Sequence, residues 1–354
     1  MQDGSIWRSV QIACVYIGTV VGAGFASGRE VDQFFVRFGI PAFSMVLLTT
    51  LLFIFFGYRM LRLGRILRAH TFRDATKVMF GKRGAWLIDI LYVMMMFGLT
   101  VAMLAGAGEL FRERLHAPYF LGVFLTALLS WFTVRHGIHG LMRANVIIVP
   151  LMVSFVIYVG WQTFLQHKWP VHSQWIISNT NPGFLHAVLS VLFYIGLNVG
   201  LSAGVLIPLG ATAHHQKELK LGSLLGSLAL GMMLLTVTFI LLCYGQEARN
   251  YALPMAYVAA HAGAWLEWIF PLVLWAEIFS TIVSNVYALA FLSPDQGKQR
   301  RWLLPLILSL AGLLSAVGFK SIVQYGYTAF GCLSLLFLVA LLRTYHAPFH
   351  REQI

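Results

Sequence analysis

Charge is what this chain has least of. Asp, Glu, Lys and Arg make up 11% of its 354 residues, against about 25% in a soluble domain. Fully 59% of the residues are hydrophobic and the mean hydropathy is +0.77. Such a chain has too little polar surface to face water on all sides, so most of its exterior is expected to face lipid. Acidic residues are the scarcest, 13 against 25 Lys and Arg, and the net charge is +12. The three cysteines, Cys14, Cys243 and Cys332, all fall in apolar segments. That placement reads as small buried side chains and not as a disulfide framework. No His-Glu-x-x-His, phosphate-binding glycine loop or nucleophile elbow occurs, which leaves an ATP-driven pump or a hydrolase without its machinery. The expectation is a protein that is not an enzyme and has no enzymatic cofactor. His136 with His139, and His214 with His215, have metal-like spacing but no third ligand, and read as solvated interface histidines.

What is present is a series of apolar runs. Ten can be marked: 7–38, 41–63, 85–111, 119–134, 141–164, 184–211, 219–244, 266–292, 302–317 and 322–342. A spanning helix needs about 20 residues, so the fold class expected is an all-α polytopic membrane protein with ten transmembrane helices. The first run follows Arg8 and could mimic a signal peptide, but Asp3 and the length of the run favour a retained helix. Between the second and third runs, Phe72, Ala75, Val78, Met79 and Phe80 recur at helical spacing within a basic stretch, predicting an amphipathic surface helix. The longest polar connection, 167–183, contains Asn-Thr-Asn-Pro-Gly turn chemistry.

The cations order these runs. Eighteen of the 25 Lys and Arg fall on one side of the ten-span layout and six on the other, with Arg29 between. By the positive-inside rule both termini are then cytoplasmic in a plasma (inner) membrane. The basic charge becomes a topology signal, and nucleic acid is not an expected partner; the lipid bilayer and a small-molecule solute are.

Two local features point to a site. Gly18, Gly22, Gly24 and Gly28 lie within eleven residues of the first run, each costing a helix interior about 1 kcal/mol relative to Ala. A break at membrane depth survives only where its backbone groups are buried in protein or line a binding cavity. The sixth run is similar, with Gly196, Gly200 and Gly204 interleaved with Asn198 and Ser202. Small residues that let helices approach closely are the plainer explanation for such a run. Yet Val21-Gly22 recurs as Val199-Gly200, and Gly84-Ala85-Trp86-Leu87 as Gly263-Ala264-Trp265-Leu266, at offsets of 178 and 179. An inverted repeat follows, of two five-helix halves (1–165 and 184–343) around an extracellular loop (166–183), with a cytoplasmic tail (344–354).

The run from Gly18 through Gly22, Gly24 and Gly28 to Arg29 and Glu30 resembles the opening signature of the YkvI-like bacterial membrane proteins of the amino acid-polyamine-organocation superfamily. The resemblance implies a LeuT-like 5+5 inverted repeat with helices 1 and 6 broken and a solute held between the breaks. It implies a sodium-like site at the Gly18 and Val21 carbonyls, completed by Ser280 and Thr281 on the eighth run, and an outer gate at Arg29 and Glu30. A facing acid on the tenth run is missing, where Gln324, Tyr325 and Tyr327 stand instead.

The solute site is expected at Gly22, Ala23, Gly24, Phe25 and Ser27, with Tyr194, Asn198 and Gly200 from the sixth run. Glu277 is the sharpest single residue, a lone carboxylate in an apolar run. It binds a substrate amine, carries a proton, or pairs with Arg29 or Arg143. The function expected is an ion-coupled (Na+ or H+) secondary transporter of a small amino-acid-like or amine-containing solute, with Na+ as a coupling ion; the alternative is a non-transporting receptor or scaffold on the same fold.

Overall fold

Where the glycines of the first run cluster, the helix stops. In the computed structural model, α1 (Gln2–Val20) ends at Val21 and Gly22, the latter with φ −135° and ψ −174°. One turn follows, α2 (Ala23–Ala26), then Gly28 at φ +81°, a left-handed conformation that glycine adopts without a Cβ clash, and then α3 (Arg29–Phe34). The described residues are 2–167, 183–251, 253–290, 292, 298–317 and 334–343. The connection 168–182, Lys168, Lys320, Gln324, Tyr325, Tyr327, Cys332 and the tail from 344 lie outside them.

The chain continues through α4 (Ala42–Leu67), α5 (Phe72–Arg114), α6 (Tyr119–Val134) and α7 (Gly137–His167). After these come α8 (Phe184–Ala211), α9 (Gln216–Arg249), α10 (Pro254–Ala262), α11 (Ala264–Ala290), α12 (Lys298–Leu314) and α13 (Ser334–Arg343). Six of the described helices, α4, α5, α7, α8, α9 and α11, are long and apolar enough to cross a membrane; α6, α12 and α13 are shorter apolar helices. The expected amphipathic helix is the first turns of α5. Thr71 caps it, accepting from the Asp74 N–H while Asp74 accepts from the Thr71 N–H, and a bend at Gly81 (φ +69°) separates it from the spanning part.

The centre of the molecule is α1, α8 and α11, whose facing residues are almost all buried. The periphery shows lipid-type surface, with Phe120 and Phe124 on α6 and Trp302 and Leu313 on α12 exposed. Cys14 is buried and Cys243 half-buried, both as free thiols.

The expectation of a broken sixth helix is not met. From Phe184 to Ala211 α8 is one continuous helix that also contains Pro208. Its glycines are packing positions. A Cβ on Gly210 would run into the backbone carbonyl of Leu61 on α4, and one on Gly64 of α4 into that of Ile207. On Gly204 it would meet the Tyr92 hydroxyl and Ala288, on Gly200 the Ser334 side chain, and on Gly196 Leu335. Four neighbouring helices thus approach α8 at its small residues, the close-packing explanation weighed above. One irregularity remains: the Tyr92 hydroxyl donates to Leu201 O (3.2 Å) and accepts from the Gly204 N–H (3.1 Å), inserting a side chain among the backbone groups of α8.

Candidate functional site

The unwound end of α1 exposes carbonyls that no further helical turn can use. Two hydroxyls of α11 meet them. Ser280 Oγ lies 3.2 Å from Gly18 O, and Thr281 Oγ1 lies 3.5 Å from Val21 O. Thr281 also donates one turn back to Glu277 O at 2.9 Å. A fifth oxygen arrives from α7, where Asn145 Oδ1 sits 2.9 Å from Ser280 Oγ. The Asn145 amide donates to Leu141 O at 3.0 Å, which aims its carbonyl oxygen toward Gly18. Gly18 is where α1, α7 and α11 converge: a Cβ there would overlap the Asn145 side chain and come within 3.0 Å of Ser280 Oγ. Gly22 is similar but looser, its Cβ position lying 3.2 Å from Thr281 Oγ1.

Gly18, Val21, Ser280 and Thr281 are therefore brought together as the sequence leads one to expect, and Asn145 is the member that sequence reasoning missed. Its signal was a single amide in an apolar stretch, Asn-Val-Ile-Ile-Val-Pro, and nothing local links it to Gly18. Oxygens 2.9–3.5 Å apart suit a hard cation. An octahedral ion with metal–oxygen distances of about 2.4 Å has ligand edges of about 3.4 Å. The set holds no carboxylate, so it offers partial charges and no formal countercharge.

Around the break, the expected solute residues separate into groups. Ala23, Gly24 and Phe25 are buried, and a Cβ on Gly24 would overlap the Glu30 carboxyl. Ser27 is taken up by the turn: its hydroxyl donates to Gly24 O at 3.0 Å, and its carbonyl accepts from the Met255 N–H at 2.9 Å. Tyr194 is fully buried among the rings of Phe34, Phe35 and Phe53, and its hydroxyl has no hydrogen-bond partner among the described residues. Asn198, one turn on, donates back to Tyr194 O at 2.9 Å. Gly200 lies on another face of α8, lining a cavity of about 30 Å³ with Phe72, Tyr92 and Phe337. Glu277 is wholly buried, and among the described residues neither of its carboxylate oxygens has a hydrogen-bond partner; Arg29 and Arg143 are both exposed. Any helix dipole at the break is weak, because α2 is a single turn and α3 has six residues.

The expected gate pair divides. Arg29 is exposed and reaches Arg249 O at 3.4 Å, whereas Glu30 is buried against Gly24 and faces inward. An ion pair joins Asp32 of α3 to Arg249 at the end of α9. Only the fold brings Arg249, 217 residues away, to Asp32.

Comparison with known proteins decides the family. Over 94% of its length this chain is 31% identical to the membrane protein YkvI of Bacillus subtilis (strain 168), covering 94% of that protein. The chain belongs to the YkvI family. A second B. subtilis relative, YyaD, is 24% identical over 95% of this chain and 97% of its own. No family model matches this YkvI-family chain. Among solved structures it is similar to MhsT in complex with L-phenylalanine (TM-score 0.69, 16% identity, 97% of this chain and 92% of that one). It is also similar to a substrate-bound, outward-open Na+-coupled sialic acid symporter (TM-score 0.66, 13% identity, 94% and 78%). Mhp1 in a closed conformation with bromovinylhydantoin gives a TM-score of 0.63 at 16% identity over 97% and 80%. At these identities the likeness establishes a shared fold, the LeuT-like one, for this YkvI-family protein.

Proposed function

We propose that this protein is a sodium-coupled secondary transporter of a small amino-acid-like or amine-containing solute, working by alternating access. The observation that carries the reading is that two neighbouring hydroxyls of α11 each meet a carbonyl at the unwound end of α1, Ser280 with Gly18 and Thr281 with Val21, while Asn145 Oδ1 lies beside Ser280. A neutral oxygen set favours a monovalent hard cation, since a divalent one would leave two charges uncompensated at membrane depth. The fold shared with a Na+-coupled symporter supports the same ion.

Glu277 is a buried carboxylate one turn before Thr281, and among the described residues its oxygens have no hydrogen-bond partner. An ionised carboxylate at membrane depth costs about 2.5–3.5 kcal/mol unless a proton or a cation neutralises it, so the solute that fits carries an amine. Glu277 receives the amine in this reading, and Ala23 to Phe25 and Tyr194 form the walls. The ten-span inverted repeat, membership of the amino acid-polyamine-organocation superfamily, and cytoplasmic termini in a plasma membrane belong to the same proposal.

The test is uptake of radiolabelled amino acids and amines into proteoliposomes, with sodium and proton gradients imposed separately. A sodium gradient alone is expected to drive accumulation, and a Ser280→Ala/Thr281→Ala variant to lose that dependence. Glu277→Gln is expected to lower uptake at least tenfold while leaving sodium binding in place. Should neither gradient drive accumulation of any solute tried, the transporter reading fails; should the proton gradient alone do so, the sodium assignment fails.

A further inference from the structure

On the membrane-facing side of α4 and α9 runs a groove of about 470 Å³ that the oxygen cluster does not use. Its walls change character along the helices. Leu51 and Phe55 of α4 and Leu224 of α9 form one end and are exposed; Arg59 and Arg62 of α4 and Lys220 of α9 form the other. Two further cations lie near this basic end, where Arg8 donates to Thr212 O at 2.7 Å and Arg65 to His214 O at 3.0 Å. The groove is held open by polar contacts between its own walls. Gln216 donates to the Tyr58 hydroxyl at 2.7 Å, and Ser223 donates to Ile54 O at 3.4 Å. Arg59 is also held in place, its guanidinium 4.2 Å from the centre of the Phe55 ring.

Length and charge together identify the occupant. Leu51 and Arg62 are eleven residues apart, about 16 Å along a helix, close to the about 15 Å of hydrocarbon in one leaflet. A groove about 16 Å long, apolar from Leu51 to Phe55 and triply basic from Arg59 to Arg62 with Lys220, has the polarity profile of a phospholipid with a negative headgroup. A helix of a second copy would have to place carboxylates opposite three cations, and this chain has 13 acidic residues against 25 basic ones. We propose that the α4–α9 groove is a binding site for an anionic phospholipid, its phosphate against Arg59, Arg62 and Lys220 and one acyl chain along Leu51, Phe55 and Leu224. The bound lipid ties α4 to α9 at the basic end of the bundle. Basic clusters between spanning helices are a recognised means of holding such headgroups.

Native mass spectrometry of the purified protein in neutral detergent tests this without reference to transport. Phosphatidylglycerol, phosphatidylcholine with the same chains, and inorganic phosphate are added in separate arms. Phosphatidylglycerol is expected to be retained at a concentration about tenfold lower than phosphatidylcholine, and Arg62→Gln/Lys220→Gln to erase that preference. Leu224→Trp, which fills the apolar end and leaves the cations in place, is expected to lower retention of both lipids. If the double variant does not elute as a folded species, exposed Lys220→Gln alone is read the same way, with a smaller loss. Equal retention of the two lipids, retention unchanged by removal of the cations, or displacement of the lipid by inorganic phosphate overturns the proposal. So does a two-copy species that Leu224→Trp abolishes, which would make the groove a protein interface.

Discussion

Gly18 and Gly22 are four residues apart on the same unwinding helix, yet they do different work. A methyl on Gly18 would occupy the space of the Asn145 amide, whereas on Gly22 it would only press Thr281 Oγ1 at 3.2 Å. Gly18→Ala is therefore expected to abolish sodium-dependent uptake and to destabilise the protein by about 1–3 kcal/mol, the usual result of overpacking. Gly22→Ala is expected to retain a measurable sodium dependence with a weaker apparent affinity. Thermal unfolding in detergent, with and without sodium, reads both: the Gly18 variant should show no sodium-induced rise in melting temperature. Asn145→Leu, which removes one oxygen at nearly constant volume, separates ligand loss from overpacking. It should weaken sodium affinity while the protein without sodium melts near the parental temperature. At this scale the glycine break in α1 was legible in the sequence, and its oxygen partners on α11 only through the family resemblance. Asn145 was not, because its relevance exists only once α7 lies against Gly18.

At the scale of elements, glycine spacing was ambiguous in a way that only packing resolved. The cluster in the first run breaks the helix at Val21–Gly22 and again at Ser27–Gly28, while the cluster in the sixth run leaves α8 unbroken. Helix crossing is the physical difference: α8 meets α4 at Gly64 and Gly210 with backbone against backbone, which any side chain would prevent. Gly210→Val is expected to lower the melting temperature more than Gly196→Ala, whose Cβ would find the mobile end of Leu335 at 3.2 Å. Fluorescence-detected size exclusion after a temperature ramp measures the order, and equal losses would contradict the crossing as the reason for these glycines. The valine at 210 should cost at least about 1–3 kcal/mol, since a carbonyl cannot move aside as a side chain can.

Across the whole molecule, the α3 side of the break is held from a distance. Arg249 ends α9, pairs with Asp32 of α3 and accepts from Arg29, while the first turn of α10 donates from Met255 to Ser27 O. Both partners of the Asp32–Arg249 pair are less than a quarter exposed, so it should exceed the about 0–1 kcal/mol of a surface pair. A double-mutant cycle of Asp32→Asn and Arg249→Gln is expected to give a coupling of about 1–3 kcal/mol in thermal unfolding. Each single variant should also speed release of a bound solute, and a coupling near zero would remove the pair from any gating role.

By itself the sequence determined the solvent this protein lives in, its all-helical class and the interruption in its first helix. Those properties follow from composition and from residues close together in the chain, where glycine, charge and periodicity act locally; the hydroxyl pair of α11 was expected only through the family resemblance. Tertiary structure alone decided that α8 is continuous, that Asn145 joins Ser280, that Glu30 turns inward and that Asp32 finds Arg249. Each of these depends on which helices lie side by side, and the sequence signal for a helix break is the same as that for a close crossing: a small residue without a side chain to get in the way.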